Sequence, residues 1–182
     1  MTNIIAKTYS VIGNATNAII VDTIVALIHP ISGAYTELTG NIIRGTYEIF
    51  HTLLQQQLQD HPPKSDECFF VQQPHRPERT FDNVLYVADD GSLPLSTFTE
   101  RILCQLVQHG SSIVAIPLLR YQQTSVKETT EAMLNGIRRF QDTNNAPLHI
   151  YLTLGKRDSV AWKLLHAETK YCGEWSNGQY IA

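Results

Sequence analysis

Residues 112–140 read SIVAIPLLRYQQTSVKETTEAMLNGIRRF: an apolar run, a proline, a polar loop and a long amphipathic segment. The run 113–116 has the apolar, partly β-branched character of a strand buried on both faces, and Pro117 ends it because proline brings no N–H to a ladder. Ser125 with Glu128 three positions on is a capping box, in which side chains satisfy orphan backbone donors of a first helical turn. Val126, Met133, Ile137 and Phe140 then fall at helical spacing, while Lys127, Glu131, Arg138 and Arg139 fall on the water-facing side. In open α/β sheets, ligands sit at the carboxyl ends of strands, against helix N-termini. The loop 118–124 is therefore the first place to expect a site. Its Arg120 can fork onto phosphate or carboxylate, and its Tyr121 can stack on a ring.

Outward from this unit the same alternation repeats. Residues 148–153 predict a strand, and Asp158 caps a helix bearing Val160, Ala161, Leu164 and Leu165. On the other side, 83–88 predicts a strand ending in Asp89, Asp90 and Gly91. Thr97 and Glu100 then form a second capping box, for a helix carrying Phe98, Ile102, Leu106 and Val107 and closed by Gly110. Residues 67–72 read as a short strand, followed by an irregular loop 73–82 containing Pro74 and Pro77. Residues 4–12 predict a strand that turns at Gly13 and Asn14, and 23–28 a fully buried strand that stops at His29 and Pro30. Beyond Gly33, the positions Ile42, Ile49, Phe50, Leu53 and Leu54 mark one helical face, weakened at Gly40 and Gly45. The glutamines of 55–59 read as a solvated helix face and 60–66 as a linker. The tail from Tyr171 carries Trp175 and Tyr180 without a clear period. Alternating strands and helices imply βαβ units, right-handed crossovers and a sheet covered on both faces.

Composition narrows the function classes. The chain of 182 residues suits one domain, 43% of it apolar, with a net charge of -3 and a pI near 6.1, so it carries no electrostatic footprint for a nucleic-acid backbone. Nucleic acid is disfavoured as a partner. Cys68, Cys104 and Cys172 are odd in number and lack CxxC spacing, which points to reduced thiols in a cytoplasmic or other reducing compartment. The apolar residues of 18–28 are split by Asp22 and follow no basic leader, so they predict a strand rather than a signal or a membrane partner. No GxxxxGK[ST], GxGxxG, GxSxG or HExxH occurs, and the P-loop, Rossmann, serine-esterase and zincin readings fall. Asp89 and Asp90 can bind a metal or act as a base, but no companion ligands stand at metal spacing, and neither a metal nor a cofactor is implied. His29, at a strand end, can shuttle a proton. Gly33 can offer backbone donors to a phosphate, and His75, Arg76 and Arg79 can meet an anion.

The order of elements and several local phrases resemble the macrodomain family, whose members bind ADP-ribose or remove it from proteins. The likeness runs over about residues 4–167. Residues 11–29 are similar to the family's opening strand, turn and second strand; Ser32, Gly33, Ala34 and Tyr35 stand at its glycine-rich stretch. Residues 110–119 are similar to its helix end, strand and proline ahead of the phosphate loop. The resemblance implies a macrodomain-like three-layer α/β/α sandwich with a mixed central sheet whose central strands are parallel. It places Asn14, Gly33, Asp90, Arg120, Tyr121, Gln122 and Gln123 around a ligand cleft, with His29 or Asp89 as the acid–base groups of any ADP-ribosyl hydrolysis. The departures fall on the same positions. Asn14 replaces the turn aspartate, His29 stands at an asparagine position, and Arg120, Tyr121, Gln122 and Gln123 replace small residues where backbone must approach a pyrophosphate. The expectation is a module that binds ADP-ribose or an ADP-ribosylated partner weakly and does not hydrolyse it. The alternative is a fold that has lost the ligand and serves as a protein-interaction or accessory domain.

Overall fold

A computed structural model describes residues 6–12, 21–28, 48–59, 63–64, 67–76, 81–120, 125–144, 147–154, 171–176 and 179–181. Within them lie eight strands: β1 (Ala6–Ile12), β2 (Thr23–Ile28), β3 (Cys68–Gln72), β4 (Asn83–Ala88), β5 (Ile113–Pro117), β6 (Leu148–Leu154), β7 (Tyr171–Ser176) and β8 (Gln179–Ile181). Three helices accompany them: α1 (Glu48–Leu58), α2 (Leu95–Gln108) and α3 (Val126–Thr143). All strands share one sheet in the order β3-β4-β2-β5-β6-β1-β7-β8. Its central ladders are parallel, and only the outermost pairs, β3 with β4 and β7 with β8, are antiparallel. The mixed α/β sheet expected from the alternation is present.

The apolar runs explain the layering. All six residues of β2 are buried, and alternate positions feed two separate cores, as the two-residue period of a strand requires. Val25 and Leu27, with Leu85, Val87, Val114 and Ile116, face a core completed by Phe98, Ile102 and Leu106 of α2 and Met133, Ile137 and Phe140 of α3. Ile24, Ala26 and Ile28, with Val84 and Tyr86, face the opposite core, where Phe50 and Leu54 of α1 pack. Each Val, Leu, Ile, Phe or Met among them contributes about 1.5–3 kcal/mol of transfer free energy, enough to make this part of the sheet the rigid floor of any site at its edge. Phe81, read from sequence as part of a loop, belongs to that second core and lies 5.3 Å from the Phe50 ring.

Helix α3 starts as expected, with Ser125 as N-cap and its hydroxyl accepting from Glu128 N at 3.1 Å. Helix α2 does not. Its N-cap is Pro94, without a side-chain cap bond, and the helix begins at Leu95. The capping box expected at Thr97 and Glu100 is therefore inside the first turns, where Thr97 Oγ1 instead accepts from Arg139 Nη1 of α3. A proline fixes the entry φ without needing a donor, which is why the earlier start wins. The C-terminus of α2 is as read: Gly110, at φ +81, lets its own N–H reach Val107 O and that of Ser111 reach Leu106 O, a Schellman closure.

Two further expectations are corrected. Ile49 is 45% exposed; Phe50 and Leu54, one turn apart, take the sheet-facing line and turn Ile49 to the flank. The segment from Tyr171 is not a formless tail but the hairpin β7–β8, which pairs parallel to β1. Helices α2 and α3 meet at Gly136, where a Cβ would stand 2.5 Å from Ser96 O and 2.8 Å from Thr99 Cβ. The helix expected at Asp158 and the stretch 29–47 lie outside the described residues.

Candidate functional site

The parallel strands β4, β2 and β5 end side by side, and the polar residues that follow β4 and β5 meet there. After β4 the chain turns sharply: Gly91 N donates to Asp89 Oδ1 at 3.0 Å and Ser92 N to Asp90 Oδ1 at 2.8 Å, with Gly91 at φ +80. Asp89 N donates to Ile28 O, fastening this turn to the end of β2. After β5, Leu118 and Leu119 remain in the core, and Leu119 N donates to Met133 Sδ at 3.3 Å. The next residue, Arg120, adopts φ 55. For a side chain with a Cβ this left-handed conformation costs about 1 kcal/mol, and it persists only where its surroundings hold it.

The guanidinium supplies that hold. Arg120 Nε donates to Asp89 Oδ2 at 2.8 Å, Nη2 to Asp89 Oδ1 at 2.7 Å and Nη1 to Leu93 O at 2.7 Å. Its carbon centre lies 5.1 Å from the Phe98 ring centroid. The two side chains are 8% and 6% exposed. Because β2 runs between β4 and β5, the pair forms an arch across the end of β2. A bidentate Arg–carboxylate pair fixes both orientation and charge. The arch neutralises itself, and both carboxylate oxygens of Asp89 are engaged by the guanidinium. Of the five guanidinium N–H groups, the three named are committed, which leaves two without a partner among the described residues.

Of the site residues expected from sequence, the structure brings Asp89 and Arg120 into contact and leaves Asp90 exposed beside them. His29, Asn14, Gly33, Tyr121, Gln122 and Gln123 lie outside the described residues. His75 meets Asp82 at 3.1 Å on the surface. Among the described residues, no three His, Cys, Asp or Glu side chains converge on a possible metal position. Sequence reading missed Leu93, Phe98 and Met133, which seat the arch. Only their apolar, in-core character was visible, and nothing in it signals a carbonyl, a ring face or a sulfur turned toward a loop.

No family model and no curated protein matches the chain. Solved structures do match in fold. An aspartate-to-alanine variant of the Oceanobacillus iheyensis macrodomain superposes with a TM-score of 0.67 at 14% identity, over 87% of this chain and 90% of that one. The macro domain of ganglioside induced differentiation associated protein 2 gives a TM-score of 0.67 at 11% identity, over 92% and 87%. The Trypanosoma brucei macrodomain in complex with ADP-ribose gives 0.62 at 15%, over 81% of this chain but 63% of its own length. The chain therefore has the macrodomain fold, remote in sequence from these examples.

Proposed function

We propose that this macrodomain-fold chain binds ADP-ribose, or the ADP-ribosyl group of a modified protein, weakly at the carboxyl edge of its sheet and does not hydrolyse it. The observation that carries the reading is Arg120: a guanidinium anchored at the ends of β4 and β5 that has two N–H groups without a partner among the described residues, on a group whose fork geometry suits a phosphate oxygen. Support also comes from the Trypanosoma brucei protein of the same fold, which is seen in complex with ADP-ribose. Weakness follows from two features. Asp89 already balances the charge of Arg120, and the sequence puts bulky side chains at 120–123, where a pyrophosphate would need close backbone, at about 1 kcal/mol net for each donor forfeited. Hydrolysis needs a water and the distal ribose in near-attack geometry, and Asp89 is engaged rather than free to act as base.

Calorimetric titration with ADP-ribose tests this. The expected dissociation constant is weaker than about 1 μM, with at least a tenfold loss in Arg120→Ala; sub-micromolar binding, or release of ADP-ribose from a mono-ADP-ribosylated substrate, overturns it. The self-satisfied arch also favours a second reading, in which the fold has lost the ligand and serves as an interaction domain. That reading predicts no heat at millimolar ADP-ribose.

A further inference from the structure

Resting on the reading that the ligand meets Arg120, we propose that Asp89 is a specificity-determining residue there. It cancels the charge of the guanidinium toward the cleft, so that the site takes a sugar-linked nucleoside diphosphate by directed hydrogen bonds and turns away free polyphosphates. Both Asp89 oxygens accept from Arg120, at 2.7 and 2.8 Å. The two side chains are 8% and 6% exposed, so little water stands between them to screen either charge from a third. The guanidinium is also seated from other sides, by its bond to Leu93 O at 2.7 Å and by the Phe98 ring 5.1 Å from its carbon centre. A ligand therefore adds to the pair rather than replacing Asp89.

The donors without a partner among the described residues are one N–H on Nη1 and one on Nη2. A ligand oxygen accepted there lies about 4 Å from the guanidinium carbon and about 5–6 Å from the Asp89 carboxylate. At those separations the repulsion offsets roughly three-quarters of the attraction, whatever the local dielectric. What survives is the directional part of the hydrogen bond, which extra charge on the ligand hardly strengthens. Asp90, exposed beside the pair with Oδ1 accepting from Ser92 N at 2.8 Å, adds a further carboxylate to the same edge. Residues 88–93 and 117–120 thus carry two carboxylates and one guanidinium, and each additional ligand charge meets a net negative edge. ADP-ribose holds one charge on each phosphate and brings two riboses and a base for uncharged contacts. Inorganic pyrophosphate offers charge alone, and ATP carries the surplus of a terminal phosphate. Asp89 is the repulsive element that separates the two kinds of ligand.

Calorimetric titration of the wild type and of Asp89→Asn with inorganic pyrophosphate, ATP and ADP-ribose, at low and high salt, tests this. The wild type should bind neither pyrophosphate nor ATP more tightly than ADP-ribose, with a dissociation constant nearly indifferent to salt. Asp89→Asn keeps an acceptor and sheds the charge. Its preference should shift toward pyrophosphate by about tenfold, and its binding should weaken as salt rises. Thermal unfolding reads the same change in a variant too unstable to titrate: pyrophosphate at about 10 mM should raise the midpoint of Asp89→Asn by a few degrees and leave the wild type where it was. Asp90→Asn, an exposed change, should move the preference the same way by about twofold. A wild type that takes pyrophosphate or ATP more tightly than ADP-ribose overturns the proposal, as does an Asp89→Asn whose preference and salt response match the wild type's. Wild-type binding of ADP-ribose with such an unchanged variant sinks the charge gate and leaves the ligand reading standing. No wild-type heat with ADP-ribose, while Asp89→Asn gains pyrophosphate, does the reverse.

Discussion

Asp22 and Asp89 are carboxylates at opposite ends of the same three strands, and they are used in opposite ways. At the amino edge, Asp22 Oδ2 accepts from Ser112 N at 2.8 Å, Ser112 Oγ at 3.0 Å and Ile113 N at 2.8 Å, while Oδ1 accepts from Thr23 Oγ1 at 2.7 Å. Every one of these donors belongs to strand entry, and Asn83 Nδ2 adds a bond to Asp22 O. That end is a staple holding β2, β4 and β5 in register. At the carboxyl edge, Asp89 accepts chiefly from a guanidinium, two of whose N–H groups have no partner among the described residues. The difference lies in who the partner is: backbone donors fix a fold, whereas a paired side chain at a strand end can be shared with a ligand.

Substitutions can break or sharpen this contrast. The largest effect is expected at the arch. Arg120→Met leaves the Asp89 carboxylate largely buried without its partner and should cost about 3 kcal/mol of stability in urea unfolding. Pairing it with Asp89→Leu should recover much of that loss; equal, additive losses would mean the two residues are not coupled. Asp22→Ala is next, at about 2 kcal/mol, because backbone donors of Ser112 and Ile113 lose a charged acceptor. It should leave ADP-ribose binding unchanged, which is what separates staple from arch.

Gly136→Ala should follow at about 1 kcal/mol destabilising, the overlap with Ser96 O outweighing the gain in helix propensity. A stabilised variant would show that α2 and α3 can part freely. The smallest effect concerns a thiol tied to neither edge. Burial first, then Glu100, pushes Cys104 above its ordinary value of 9.0, with a hydrogen bond from Asn144 acting the other way. Cys104 should therefore alkylate slowly at pH 7.5. Since the folded state holds that proton more tightly, stability should be unaffected below pH 9.0 and should fall as pH rises past it, a fall that Cys104→Ala removes.

Legibility from sequence divides along the same line. The runs 23–28 and 83–88 gave their strands to the residue because a strand buried on both faces leaves no polar alternation to misplace its ends. The hairpin β7–β8 was missed because Tyr171–Ser176 alternates poorly around Cys172 and Gly173, and only pairing with β1 makes it a strand. At the site, Arg120 and Asp89 were each visible as polar residues at strand ends. Their contact was not, since it spans 31 positions of chain and depends on β2 lying between β4 and β5. The two capping boxes show the same limit: Ser125 holds because nothing precedes it that starts a helix better, and Thr97 fails because Pro94 does.

The central claim is that Arg120, held by Asp89, keeps donors for an anionic ligand. The most direct measurement is the Nε–H resonance of Arg120 by proton–nitrogen correlation, identified by its loss in Arg120→Lys and followed during titration with ADP-ribose. The account predicts a resonance visible at neutral pH, because the proton is held in the bond to Asp89 Oδ2, and one that moves as ligand is added while the Ser112 and Ile113 amides at the Asp22 staple stay still. A resonance that ADP-ribose leaves unmoved at saturating concentration, or one that shifts no more than those staple amides, would contradict it.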